Sequence, residues 1–346
     1  MEDHLDASKN DLSVSLGEGA SRPKGSKKEE KAKQEVKTKV ERALAKLHDR
    51  DTVNNALSEV IAMAENLTPE QGTILLGAMC KFEDQKNGFA RSNVAKLFPM
   101  VAQANYSLLQ SFTPAKVASS LVKRLKDSDS SVMNTVAESL GELARMVCDK
   151  SPAPEPAPPS DAPDEKLDVS ALEGGGKSEG PLGAFLKPIF AGMESGDNAM
   201  HPGCALALAH VIYNASAKAE THCDKLAKRI GQALDRTQFA GKSNLLIAVA
   251  NLVEVCPAAV VQHLPSLIPR LAAAAGGSDW NARKSSMEAI ETVCTRLAPD
   301  VLAGFKATMS EAAEKCRYDK MKPARDAASL TLTAIAKLPA APTEPP

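Results

Sequence analysis

Apolar positions recur along most of this chain at steps of three and four residues, the spacing that lays them on one face of a helix. In "SVMNTVAESLGELARMVCD" (131–149) the positions are Val132, Val136, Leu140, Leu143 and Val147. Met287, Ile290, Val293 and Leu297 repeat the pattern far downstream. No stretch shows sustained period-two alternation bounded by hairpin turns, so the pattern predicts an all-α protein without a sheet.

Short polar turns interrupt the helical stretches at a regular interval. Aspartates mark them at Asp51, Asp84, Asp129, Asp197, Asp235, Asp279 and Asp319, with gaps of 33, 45, 68, 38, 44 and 40 residues. The long gap contains "SPAPEPAPPSDAPDEKLDVSALEGGGKSEG" (151–180), which is rich in Pro, Gly and acidic residues and too polar to pack. Removing about 28 residues from it restores the interval to 40, within the period of HEAT-type repeats. Each turn separates two amphipathic helices, and such a pair buries its apolar face only by stacking on its neighbours. The expected fold is an α-solenoid of about six to seven HEAT-like helix pairs, with units at 30–66, 67–105, 106–149, 181–218, 219–256, 257–297 and 298–338. Repeats one to three would thus occupy 29–149 and repeats four to seven 181–338. Residues 1–28, 150–180 and 339–346 read as disordered segments.

Composition narrows the chemistry. Aromatic residues are scarce, at 3%, while Ala, Leu, Lys and Glu are abundant, which favours helices over strands. A net charge of −1 offers no global field for nucleic acid, so an electrostatic partner must be met by a local patch. The basic run 22–46 holds ten Lys and Arg against four Glu. It reads either as a solvated helix face or as a contact for an acidic surface. Seven cysteines are scattered through apolar helical stretches with no CxxC pair, as expected of buried reduced thiols. His222 beside Cys223 has no partner pair at zinc spacing. GxGxxG, P-loop, GxSxG and metal motifs are absent, and "EGGGKSEG" lacks the strand that a phosphate loop requires. No cofactor and no enzymatic activity are expected. The polar start "MEDHLDASKND" does not resemble a signal peptide, and no apolar run reaches the ~20 residues that span a bilayer. An intracellular protein without membrane contact is therefore expected.

In a stacked array the turns within the pairs line up along one edge, where residues are released from packing. Asp129, Asp279 and Asp319 suit the role of caps for the second helices. Arg283 and Arg325 follow their aspartates by four and six residues and suit an internal ladder of Arg–Asp pairs between units. The remaining turn residues include cations in six of the seven turns: Arg50, Lys86, Lys126, Lys242, Lys284 and Lys320, with Asn198 in the fourth, which has none. A row of cations at the inter-repeat distance suits an extended acidic surface, provided many weak contacts act in register. Trp280, the sole tryptophan, opens the sixth second helix. It reads equally as an anchor for a partner pocket and as a local cap over its own helices.

The stretches "LHDRDT", "AENLT", "LKDSDSSV", "SDWNARKS" and "RYDKMKPARD", in this order and spacing over roughly 34–338, carry a resemblance. The chain resembles the TOG-like domain of the plant Tortifolia/Spiral microtubule-associated proteins. The resemblance implies a rigid HEAT paddle, monomeric, that engages tubulin through its intra-repeat turns. It also implies a cytoplasmic, cytoskeletal location on cortical microtubules, where members stabilise microtubule ends and influence helical growth of plant organs. Residues Arg50, Lys86, Lys126, Asn198, Lys242, Trp280, Lys284 and Lys320 are the expected contacts. The alternative is a generic HEAT scaffold that holds another protein in its concave groove.

Overall fold

The computed structural model describes residues 26–83, 86–151 and 180–339. Asp84, the acidic insert between 152 and 179, and nearly all of both expected tails lie outside the described residues. Among the described residues every regular element is helical. The first two pairs are α1 (Ser26–Ala45) with α2 (Val53–Asn66), and α3 (Pro69–Lys81) with α4 (Gly88–Ala104). The third unit adds a short helix, α5 (Tyr106–Phe112), before the pair α6 (Pro114–Lys123) and α7 (Ser130–Lys150). The fourth pairs α8 (Gly180–Glu194) with α9 (Met200–Ala215), and the fifth pairs α10 (Cys223–Asp235) with α11 (Lys242–Val255). In the sixth, one turn of helix, α12 (Pro257–Val260), leads into α13 (Leu264–Ala275) and α14 (Trp280–Arg296). The seventh repeats that design with α15 (Pro299–Leu302), α16 (Lys306–Arg317) and α17 (Lys322–Ala336).

Local chemistry explains where these helices begin. Prolines 69, 114, 257 and 299 occupy the first turns of the helices that open units, where a missing N–H costs nothing. Thr68 and Gln71 form a reciprocal capping box at α3. Asp129 accepts from the Ser131 amide at 2.9 Å and Asp279 from that of Asn281 at 3.0 Å, the capping role expected of both. Two details depart from the sequence reading. Helix α1 begins at Ser26, within the stretch 1–28, and Tyr106–Phe112 forms a helix of its own rather than part of the third pair. Asn105 causes the second departure: its side chain donates back to the carbonyls of Ala64 and Leu67, which ends α4 and redirects the chain.

The second helices α2, α4, α7, α9, α11, α14 and α17 pack side against side in that order. The first helices touch more thinly, and α3 with α6, like α8 with α10, barely meet. The array therefore curves, with the second helices on its inner face. One apolar core runs through all seven pairs, from Val40 and Leu47 through Leu140 and Leu208 to Ile335. The insert does not interrupt it, because α7 packs directly on α9 and α6 on α8. At this junction a Cβ on Gly203 would overlap the Leu125 carbonyl oxygen, so only glycine permits so close an approach.

Polar side chains fix the register between units. Asn244 and Asn251 donate to the carbonyls of Pro202 and Ala209, and Thr331 to that of Met287, each reaching back 42 to 44 residues. Asn87 donates to the His48 carbonyl across the first junction. Arg91 grips Asp127 with two bonds of 2.6 and 2.9 Å, and Arg270 grips Asp235. Arg283 donates to both Asp319 oxygens and to the carbonyls of Gly277 and Ser278. Arg325 is different: it donates to the carbonyls of Asp319 and Lys320 in its own turn, as Arg283 does to Gly277 and Ser278, and grips no aspartate of another unit among the described residues.

The side chains of Arg283 and Asp319 are only 18% and 5% exposed, so their pair is shielded from solvent. The Arg283 guanidinium holds the Asp319 carboxyl down at about 2. A depressed carboxylate contributes stability that is present above its unfolded pKa, near 4, and is lost as pH falls through about 2. Asp319→Asn should cost about 2 kcal/mol at neutral pH and flatten the loss of stability between about pH 4 and 2. Lys322→Ala, which breaks an exposed pair with Asp326, should change stability by less than about 0.5 kcal/mol. Urea titrations of the three proteins across this pH range measure both effects.

Candidate functional site

The seven turns within the pairs lie at equivalent positions and form one edge of the array. They comprise residues 46–52, 82–87, 124–129, 195–199, 236–241, 276–279 and 318–321. The expected contact residues are not equivalent there. Arg50, Lys86, Lys126, Asn198 and Lys320 are exposed in the turns themselves. The Arg50 guanidinium lies 5.7 Å from the Phe89 ring centre, which joins the first turn to the second. Lys126 stands 3.8 Å from Asp197 of the following unit, a weak solvent-exposed pairing. Lys242 is half-buried at the first position of α11. Lys284 lies inside α14, half-buried and bonded to Glu288 at 2.6 Å.

Aspartates share this edge but are occupied by the fold. Asp127 is spent on Arg91 and on the Asp129 amide, while Asp319 is spent on Arg283 and the Met321 amide. Asp197 accepts from the Ala199 amide, and Asp51 donates its own amide to Asp49. The carboxylates therefore brace the turns, while several cations extend from them.

Trp280 is half-buried as the first residue of α14, directly after its cap Asp279. The side chain that projects furthest is another aromatic. Tyr318 in the seventh turn is 80% exposed, with the Arg317 guanidinium 5.7 Å from its ring centre. Met321 beside it is 38% exposed. Sequence reasoning passed over Tyr318, although one signal was present: a large aromatic at the centre of a polar turn, where the repeat has no core position to fill.

Six of the seven cysteines are buried, and Cys80 is half-buried. Burial pushes the Cys204 and Cys294 thiols up to about 12 and Cys148 to about 11, which leaves them protonated and unreactive at neutral pH. Among the described residues no group of His, Cys, Asp and Glu is arranged to hold a metal ion, and no single helix is long and apolar enough to cross a membrane.

Residues 34–337 match the family described as TORTIFOLIA1 N-terminal, a span that takes in all seven pairs. The chain belongs to this family. Among curated proteins it is 25% identical over 301 residues to Microtubule-associated protein TORTIFOLIA1 of Arabidopsis thaliana, covering 86% of this chain and 32% of that protein. It is 27% identical over 295 residues to TORTIFOLIA1-like protein 4 of the same plant, covering 84% and 42%. The chain thus spans less than half the length of these relatives. Among solved structures, a designed armadillo repeat protein shows a TM-score of 0.43 and 14% identity, covering 77% of this chain and 99% of that one.

Because Trp280 is the only tryptophan, its emission reports on this edge alone. Its half-buried setting predicts intermediate quenching by acrylamide, between the native-state protection of a core indole and the access seen in urea. Complete protection would place the ring inside the repeat and remove it from the edge.

Proposed function

We propose that this chain is a microtubule-binding paddle that contacts tubulin along its turn edge, as part of the cortical microtubule cytoskeleton. Membership of the TORTIFOLIA1 N-terminal family supports it, together with likeness to a relative named as microtubule-associated. The observation that carries the reading is Tyr318, four-fifths exposed between Arg317 and Lys320 on the edge that also presents Arg50 and Lys126. An exposed aromatic among cations is the composition of an interface hot spot, able to fill a pocket while its neighbours meet acidic groups. The rigid repeat holds these side chains at fixed spacing, so many weak contacts form together. Trp280 and Asn198 extend the same surface, and Lys86, Lys242 and Lys320 add positive charge to it, whereas Lys284 is taken by Glu288. The paddle acts as a monomer and performs no catalysis in this reading.

A second reading places a protein partner on the inner face. It is favoured by Tyr213 and Leu330, 58% and 60% exposed on α9 and α17. A polar cleft of about 410 Å³ between α4, α7 and α9, lined by Lys96, Glu138 and His210, lies on that face too.

Co-pelleting with microtubules separates the two. Tyr318→Ala should weaken binding by about tenfold or more, with stability changed by less than about 0.5 kcal/mol. Replacing Arg50, Lys126 and Lys320 together with alanine should weaken binding further and reduce its sensitivity to salt. Unchanged pelleting of both variants, with loss in Tyr213→Ala and Leu330→Ala, would move the interface to the inner face.

A further inference from the structure

The thin contact between α3 and α6 opens a cleft of about 1250 Å³ on the outer face of units two and three. It runs along α6 and ends at the turn edge beside Lys126. Among the described residues six cations line it, namely Lys81, Arg91, Lys116, Lys123, Arg124 and Lys126, against two carboxylates, Glu83 and Asp127. Asp127 is consumed by Arg91, and Glu83 stands exposed at the rim. Lys81 and Lys123 are exposed, while Lys116 has only the Phe112 ring, 5.9 Å away.

Arg124 is the decisive residue. One guanidinium nitrogen caps the end of α3 by donating to the carbonyls of Met79, Cys80 and Phe82. The other terminal nitrogen, Nη1, is buried and has no hydrogen-bond partner. Among the described residues no carboxylate is hydrogen-bonded to this half-buried guanidinium; burial pulls its pKa below the usual arginine range, and the charge of Glu83 at the rim only partly opposes that. A desolvated cation without a bonded counter-charge is costly, and an anion brought into the cleft would offset that cost.

The same molecule shows the arrangement completed elsewhere. Arg236 occupies the matching place in unit five, at the end of α10, and donates to the Met193 carbonyl at the end of α8. The α8–α10 cleft beside it is only about 140 Å³ and carries its own carboxylate, Glu194, paired with Arg229. In the α3–α6 cleft the bonded carboxylate, Asp127, goes to Arg91, and Arg124 has none among the described residues.

We propose that the α3–α6 cleft is a docking site for an extended acidic peptide segment of a protein partner, with a carboxylate seated at Arg124 and others along Lys116 and Lys123. Its shape favours a peptide over a small anion. Lys116 and Lys123 are two helical turns apart, about 10 Å, and carboxylates three residues apart on a chain in the polyproline II conformation share a face at about 9 Å. The cleft shares Lys126 with the turn edge, but its test rests on Lys116 and Lys123 and is run without microtubules, so it succeeds or fails independently of the microtubule reading.

The probe is a fluorescein-labelled oligoglutamate of about ten residues, its binding to the full chain followed by anisotropy. Saturable binding that weakens with salt is expected, with a matched oligoglutamine failing to bind. Lys116→Glu with Lys123→Glu should weaken binding by about tenfold or more. Lys315→Glu with Lys322→Glu, the same change in net charge at a distant unit, should leave it intact. Because Arg124 also caps α3, the lysine pair carries the test, and circular dichroism verifies that each variant is folded. Equal loss in both double variants, or binding of oligoglutamine, would overturn the proposal. So would binding that emerges only after the acidic residues of 152–179 are neutralised, since that would assign the cleft to the chain's own insert.

Discussion

A single helix pair of this chain has nowhere to bury its apolar faces except against the next pair, and that contact orders everything else. Leu140 of α7, Leu208 of α9, Val249 of α11 and Ile290 of α14 reach full burial only where successive second helices meet. Apolar contact alone would allow helices to slide past one another. Gly203 against the Leu125 carbonyl fixes the closest approach at the middle junction, and Asn244, Asn251 and Thr331 fix it elsewhere by donating to carbonyls one unit back. The insert of 152–179 is accommodated because its two ends leave from helices that remain packed on their neighbours.

Close packing on the inner side leaves the turn edge and the outer face with other possibilities. On the edge, Asp129 and Asp279 cap helices and Asp319 binds an arginine, while Arg50, Lys126, Lys320 and Tyr318 stand in solvent. On the outer face the first helices part, and what fills each gap differs. Between α8 and α10 an internal Arg229–Glu194 pair fills it, whereas between α3 and α6 the gap stays open around Arg124. A regular repeat therefore carries irregular surfaces.

The repeat itself was legible in the sequence because its signals are local. Aspartates at 129 and 279 precede the helices they cap, and apolar residues three and four apart declare their face within a single helix. The Arg283–Asp319 rung was legible too, since the same spacing recurs at unit intervals. Arg325 was misread because the carbonyls of its own turn, which no side-chain spacing reveals, take its guanidinium. The relative exposure of Trp280 and Tyr318 was not legible, as it depends on how each ring meets the neighbouring helices. Nor was the cleft at Arg124, since "LVKRLKD" reads as an ordinary basic helix end until α3 supplies the carbonyls and the gap. Lys284 shows the same limit at smaller scale: four residues beyond Trp280, it turns along α14 to Glu288 rather than out from the turn.

The central claim is that the partner meets the turn edge rather than the inner face. Hydrogen–deuterium exchange of the chain, alone and saturated with tubulin, tests it most directly. The account predicts slowed exchange in the turns around 46–52, 124–129 and 318–321, with the exposed stripe of α9 and α11 unchanged. Protection confined to α9, α11 and α17, with the turns exchanging as in the free chain, would contradict it.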